Sequence, residues 1–538
     1  MKKLDRFKRV LPGIAMSAAL GVMAHSSAQA AENVAGAGDF NYAISGYVRG
    51  WLSMNLENQE EYKQAFGANT KREAKGKLSM VRGSILVDND VSWNGIKFKA
   101  IARLDKEYKT NYLKDLEEMR ETNASGTGSP FYQGRGKSIT DNYNNFDFRE
   151  FWVEAPIGDR TTVKFGRQQL VWGESDFFQA MDVVHGYNLS WRLFFEGENE
   201  EWRKPLILLS TKIRVPEANG LLAAYIRPGL DRCEDMGNTY DVRGGRWFFA
   251  PYRGFDASRI NTVTNCETKG ADKDKWTYGI RWQGEYAGVN YSVAYLKAAA
   301  GDPVVNSGIG APGTAYRGVT AKGSVSDFIH PNIDVIGATV SGYSDALDAV
   351  LSAEMAYVID QPYNVGTGAF NPANIGIGNP GLGLNGIKEK DLLIAMLRAD
   401  KNLKFEDILG TTRPSFSSIQ IFSRQIMDFK KSDDLARLFF WGTKRKENDT
   451  ILTMFTVLNY QNDEINPGFA VGFDLVNGGG FAIPSVSMTF GDKWLAKLEA
   501  DIFWDNGSNG TQFSGEKSQL FGYFKGSSQL ALRVTRQF

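Results

Sequence analysis

The chain has 538 residues, and its 62 Lys+Arg are matched by 62 Asp+Glu, so the formal net charge is zero. That balance excludes a basic field for nucleic acid, and no nucleic-acid partner is expected. Glycine is frequent, at 57 residues, and aromatics make up 12%, which suits a large β protein with many turns and aromatic girdles.

Lys2, Lys3, Arg6, Lys8 and Arg9 form a basic start, followed by an apolar run from Val10 to Ala24 and an Ala28-Gln29-Ala30 cleavage pattern. This predicts a secretory signal peptide over residues 1–30 and a mature chain over 31–538. No later stretch is apolar enough for a membrane helix. An exported chain of this kind is periplasmic, secreted, or a barrel in the cell outer membrane. Cys233 and Cys266 are the two cysteines. In an oxidising compartment they are expected to form a disulfide closing a polar loop, with two thiols as the alternative.

The first strand is expected over Tyr42 to Leu56, where Ile44, Val48, Leu52 and Met54 share one face and Ser45, Tyr47, Arg49 and Trp51 the other. Ile96 to Asp105 alternates in the same way. Tyr112 to Arg120 reads as a short helix before the polar loop Glu121–Gly136. Trp276–Trp282 and Val289–Tyr295 form a hairpin around a tight turn near Gly284–Gly288. Long Gly-rich connections at Leu296–Asn332, Asp360–Lys390 and Asp505–Lys517 contrast with short turns such as Gly491-Asp492-Lys493. Short turns at one end and long loops at the other are the pattern of an outer-membrane barrel.

Trp494 to Trp504 is the clearest strand. Trp494, Ala496, Leu498, Ala500, Ile502 and Trp504 make an apolar face, and Lys497, Glu499 and Asp501 lie on the opposite one. At about 3.3 Å per residue and a tilt near 45°, the strand spans about 24 Å of membrane height. Trp494 and Trp504 are expected at the two interfaces. In the last strand, Leu530, Leu532, Val534 and the terminal Phe538 share a face, as in the signal read by the barrel assembly machinery. The fold class is therefore all-β: a transmembrane antiparallel outer-membrane β-barrel of about 16–18 strands. Counts made forward and backward differ by one strand between Pro362 and Pro484.

Chemistry-bearing residues are densest between Asp147 and Pro205. With Phe151 and Val153 facing lipid, Glu150, Trp152 and Glu154 face the lumen. Alternation then fails at Gly166-Arg167, which predicts a bulge or a strand end there. Phe177 to Pro205 mixes Phe195 and Trp202 with Glu196, Glu198, Glu200 and Glu201, and it does not alternate. Irregular backbone at membrane depth is tolerated only inside the lumen. Residues 177–205 are therefore expected to form an inward constriction or plug, with a large external loop as the alternative. The candidate lumen residues are Glu150, Trp152, Glu154, Arg167, Trp172, Glu174, Phe195 and Trp202. Arg167 and Glu174 are expected to form an ion pair, and the acids of the segment to disfavour anions.

Arg149-Glu150, Gly166-Arg167-Gln168 and Trp172-Gly173-Glu174-Ser175, with the apolar Leu206–Val215 and the last strand, resemble a family of large proteobacterial outer-membrane proteins. It is catalogued as domain of unknown function thirteen-oh-two. Where that family has an Asn-Pro-Asp-like turn, this chain has Gly186-Tyr187-Asn188-Leu189-Ser190. The resemblance implies a barrel associated with envelope transport proteins and with the handling of hydrophobic compounds. An envelope transport partner is implied with it.

Three functions are compatible with these features. The first is passage of small, hydrophobic or weakly polar molecules across the bilayer. The second is an envelope scaffold or assembly role. The third is an outer-membrane hydrolase, which is disfavoured because only His185 and His330 remain after cleavage and neither has a visible Ser or Asp partner. No catalytic, cofactor-binding or metal-ligating motif stands out, so no enzyme activity and no cofactor is expected.

Overall fold

The structure is a computed structural model. It describes the chain from residue 34, apart from residues 36–39, 62–69, 126–137, 176–177, 194–198, 249–252, 255, 257–261, 264–274, 308–315, 318–325, 367–385, 438–442, 506–519 and 525. The expected signal peptide, Cys266 and Phe195 lie outside the described residues, so neither the cleavage site nor the disulfide is represented.

Eighteen strands form the barrel. They are β1 Phe40–Asn55, β2 Leu78–Trp93, β3 Ile96–Glu107, β4 Asn145–Ile157, β5 Thr161–Gln168, β6 Leu206–Val215, β7 Gly220–Arg227, β8 Thr277–Tyr286 and β9 Val289–Ala299. The second half comprises β10 Asn332–Ser344, β11 Ala349–Asn364, β12 Ile387–Leu403, β13 Ser415–Ile426, β14 Asn448–Val457, β15 Ile465–Asp474, β16 Gly480–Phe490, β17 Trp494–Trp504 and β18 Gln529–Gln537. Each strand pairs antiparallel with its sequence neighbours, and β18 closes on β1 from Tyr47↔Gln537 to Asn55↔Gln529. Beyond that register, the backbones of Gly46 and Phe538 exchange two hydrogen bonds of 3.1 Å. Closure leaves no unpaired edge, which is what lets strands cross a bilayer.

Period-two side chains sort the two faces. On β1, Val48 and Leu52 are exposed while Tyr47, Arg49, Trp51 and Ser53 are buried. On β17, Trp494, Leu498 and Ile502 are exposed, and Glu499, Asp501 and Phe503 are buried. Trp504 is half-buried, with its ring 5.8 Å from that of Phe473. Outward apolar residues such as Ile85, Leu104, Phe148, Val293, Met355 and Leu397 continue the belt around the barrel. Among the described residues no helix is long and apolar enough to cross a membrane. The membrane-spanning elements are the strands, and the protein is an outer-membrane β-barrel.

Tight turns join strands at one end. Asn94-Gly95 (φ 50° and 80°) links β2 to β3, and Ala287-Gly288 (φ 52° and 80°) links β8 to β9. Positive φ at both central residues is the hairpin geometry that matches strand twist. Long connections occupy the other end and include the helix α1, Asn111–Ser125, which extends past the expected Tyr112–Arg120 by one residue at its start and by Glu121–Ser125 at its end. One connection at the long-loop end, residues 475–479, is itself short, and Pro467 and Pro484 lie within β15 and β16. Length and proline cues therefore both mislead between Pro362 and Pro484, where the sequence count clashed.

The inward segment and the lumen

β4 and β5 carry the irregularity that the sequence signalled. The register of β4 against β3 skips Arg149: Ala102 pairs Phe148 and Ile101 pairs Glu150. This bulge lets Phe148 and Phe151 both stay exposed while Asp147 and Arg149 are buried. The bulge falls at Arg149 rather than at Gly166, while β5 ends at Gln168, directly after Arg167, which is the other outcome expected there. Gly166 resolves the second half of the parity break without losing register, because Phe151↔Arg167 and Arg167↔Ile207 remain paired. Its φ is +130°, and a Cβ there would sit 2.3 Å from the Phe151 carbonyl oxygen. Only glycine fits.

After β5 the chain turns inward and crosses the lumen. On the β11–β12 wall, the Glu354 carboxylate accepts the backbone N–H of Glu174 at 2.7 Å and that of Met181. Arg398 donates to the Glu174 carbonyl at 3.1 Å. Phe178 packs edge-on against Phe422 of β13, with centroids 5.5 Å apart. On the β17 side, Arg192 pairs with Glu499, and Trp191 packs against Trp51 of β1 at 5.8 Å. On the β1–β4 wall, Glu201 of the short helix α2, Asn199–Trp202, receives the Tyr47 hydroxyl at 2.8 Å, Arg49 at 3.2 Å and Arg103 at 3.0 Å. Arg149 donates to the carbonyls of Glu200 and Arg203. The strands β11 and β12 stand about halfway round the eighteen-strand circuit from β1–β4. A segment held by both lies across the interior.

The segment is tied to itself and to a second inward loop. Arg203 and Asp182 pair at 2.5 Å with side chains 1% and 4% exposed, and the Tyr187 hydroxyl donates to the same carboxylate at 2.5 Å. Trp202 is buried with its ring 4.7 Å from that of Tyr187. His185 accepts the Leu170 N–H on Nε2 at 2.8 Å, so Nδ1, 3.0 Å from the Lys204 carbonyl, carries the proton and donates. Burial, with Arg203 nearby, lowers its pKa to about 3, and the ring is neutral. Burial pushes the Glu201 carboxyl up, but Arg49, Arg103 and Arg149 outweigh it and hold the pKa at about 2. From the second loop, Thr239 exchanges backbone hydrogen bonds with Tyr187 and Leu189. Gly186 lies so close to Gly237 that an added Cβ would be 1.9 Å from its carbonyl oxygen. Arg246 of that loop reaches Glu107 at 2.6 Å and the Trp191 carbonyl at 3.2 Å.

These positions correct one expectation. Arg167 does not pair with Glu174: it binds Asp147 at 3.3 Å and Asp235 at 2.7 Å. Glu174 is carried away because Glu354 and Arg398 fix its backbone to the opposite wall. Two of the segment's acids, Asp182 and Glu201, are met by arginines, and two others, Glu196 and Glu198, lie outside the described residues. Of the other candidates, Glu150 accepts the Trp152 indole N–H at 2.7 Å, and Glu154 pairs Lys164 at 3.4 Å, which lies over the Trp152 ring. Trp172 is buried 5.3 Å from Tyr225. Sequence reading missed Arg49, Arg103, Asp182, Arg203, Asp235 and Glu354. Their signal was a buried-face position on a strand or a charge within the irregular segment, which names a location but not a partner.

A cavity of about 130 Å³ remains between the segment, the second loop and the β10–β14 wall. Val358, Leu392 and Ile394 give it apolar surface, and Arg424, Arg445 and Asp302 give it charge. Among the described residues no cluster of His, Cys, Asp or Glu is arranged to hold a metal.

Comparison with solved structures returns outer-membrane proteins. The channel OccAB1 of Acinetobacter baumannii is 11% identical, over 92% of this chain and 96% of its own, with a TM-score of 0.43. The outer-membrane channel DcaP of the same organism is 10% identical, over 94% and 99%, with a TM-score of 0.38. OmpF of Salmonella typhi, in complex with daunomycin, is 8% identical, over 94% and 100%, at 0.38. No curated protein matches the chain. The family described as "Protein of unknown function (DUF1302)" matches residues 11–538. With that match spanning nearly the whole chain, and with a closed eighteen-strand barrel beneath it, the protein belongs to the DUF1302 family of the outer membrane.

Proposed function

We propose that the barrel gives passage to small hydrophobic or weakly polar molecules, through a lumen narrowed by residues 177–205. The observation that carries this reading is the segment's anchorage to opposite walls, beside a cavity of about 130 Å³ with apolar lining. A wide aqueous pore has a polar interior, whereas a narrowed passage with apolar patches favours solutes that shed water cheaply. Catalysis has little support, because His185 and His330 each spend ring nitrogens on backbone groups. A strain lacking the protein, tested for uptake of sterols, alkanes, aromatic acids and sugars, should lose uptake of apolar or weakly polar solutes and keep that of sugars. Unchanged uptake of all four would favour the scaffold role.

A further inference from the structure

Among the charged groups lining the cavity, Arg424 of β13 stands out. Its backbone is paired in the sheet, but its guanidinium makes no hydrogen bond or ion pair with a described residue. Nearby, Arg445 binds Asp449 at 3.2 Å, yet its Nε is buried without a partner, and so is Nε2 of Gln179. The lining carboxylates, by contrast, already have donors. Asp449 holds Arg445 and Asn477, and Asp302 accepts Asn238 at 3.0 Å and the Tyr240 hydroxyl at 2.6 Å. Asp182 leaves Oδ1 unpartnered, but its charge is met by Arg203 at 2.5 Å. Arg424 and Arg445 lie within electrostatic reach of Asp302 without forming an ion pair to it. Unused donors therefore gather beside apolar walls from Val358, Leu392 and Ile394.

We propose that this cavity binds a small organic monocarboxylate, its carboxylate on Arg424 and its apolar body against Val358, Leu392 and Ile394. A guanidinium beside apolar walls gains most from a planar, bidentate anion. A cavity of roughly 150 Å³ accommodates benzene, so the space here suits a body of about one ring. The inference rests on the passage reading for the same lumen and extends its solutes to apolar bodies that carry one carboxylate.

Isothermal titration of the full-length barrel in detergent micelles tests it, with benzoate, cyclohexanecarboxylate and the neutral isostere benzamide as probes. Both carboxylates should bind, and benzamide at least tenfold more weakly. Arg424→Gln should bring benzoate down to the benzamide level, and Arg424→Lys, which keeps the charge but loses the fork, should fall between that level and the unaltered protein. Val358→Phe, which fills the cavity, should abolish binding of all three. Heat-modifiable migration of each variant verifies that the barrel is intact. Absence of benzoate binding to the unaltered protein, equal binding of benzoate and benzamide, or unchanged benzoate binding in Arg424→Gln would overturn the proposal. Bilayer conductance of the same preparations separates the two readings. A conducting barrel that ignores benzoate sinks this site alone, and one that binds benzoate but never conducts sinks passage alone.

Discussion

Arg203 and Asp182 form an enclosed pair within the crossing segment, and Tyr187 shares their carboxylate. Removing one member of such a pair strands the other charge, at a cost of about 3–5 kcal/mol. Arg203→Met should lower the urea midpoint of the barrel in lipid vesicles accordingly, and adding Asp182→Leu should restore part of it. If the single variant unfolds like the unaltered protein, the pair contributes nothing. His185 makes a pH prediction. Its folded pKa, about 3, lies below the ordinary 6.5 because burial and Arg203 disfavour the proton. The unfolded chain takes up that proton first, so the contribution is complete above pH 6.5 and is lost as pH falls towards 3. The slope is about 1.4 kcal/mol per pH unit. His185→Gln, which retains one donor and one acceptor, should flatten the acid limb of the unfolding midpoint by that amount, and an unchanged limb would refute it. At this scale the sequence was legible where local geometry decides: the parity break at Gly166 predicted a backbone irregularity, and φ is +130° there. Partners were not legible. Arg167 finds Asp235, 68 residues away, through a loop fold that no spacing rule encodes.

At the scale of the element, the inward segment exchanges regular pairing for side-chain anchors. Backbone groups that would pair in a strand are taken by Glu354, Arg398, Arg149 and the second loop, as burial away from water requires. Its broken alternation was readable, because a spanning strand cannot carry Glu196, Glu198 and Glu200 on one parity beside Trp202 on the same parity. Its route was not readable, since anchorage depends on which inward charges of β1, β3, β11 and β17 reach the centre. Glu201 concentrates this dependence, with Arg49, Arg103 and Arg149 converging on it. Glu201→Gln should leave those arginines in excess. The reversal potential in a KCl gradient should then shift towards chloride. A shift towards potassium, or none, would show that these arginines do not face the conducting path.

For the whole molecule, the membrane fixes the register of every strand. Lys497 and Leu498 are neighbours on opposite faces of β17, so exchanging their environments tests the assignment directly. Leu498→Lys places an ammonium towards lipid and should cost about 2–4 kcal/mol of barrel stability at mid-bilayer depth. Lys497→Leu, on the inner face, should cost much less, and equal effects would contradict the register. The barrel was legible from alternation and loop asymmetry because both follow from strand geometry and the lack of water in the bilayer. The strand total was not, because residues 475–479 make a short connection at the long-loop end. The segment after β5 crosses the lumen and, on the proposed function, narrows the passage. Single-channel conductance in planar bilayers tests it most directly, comparing the unaltered barrel with one in which residues 178–203 are replaced by a flexible Gly/Ser linker. The replaced form should conduct several-fold more; equal conductance would mean that the segment does not narrow the passage.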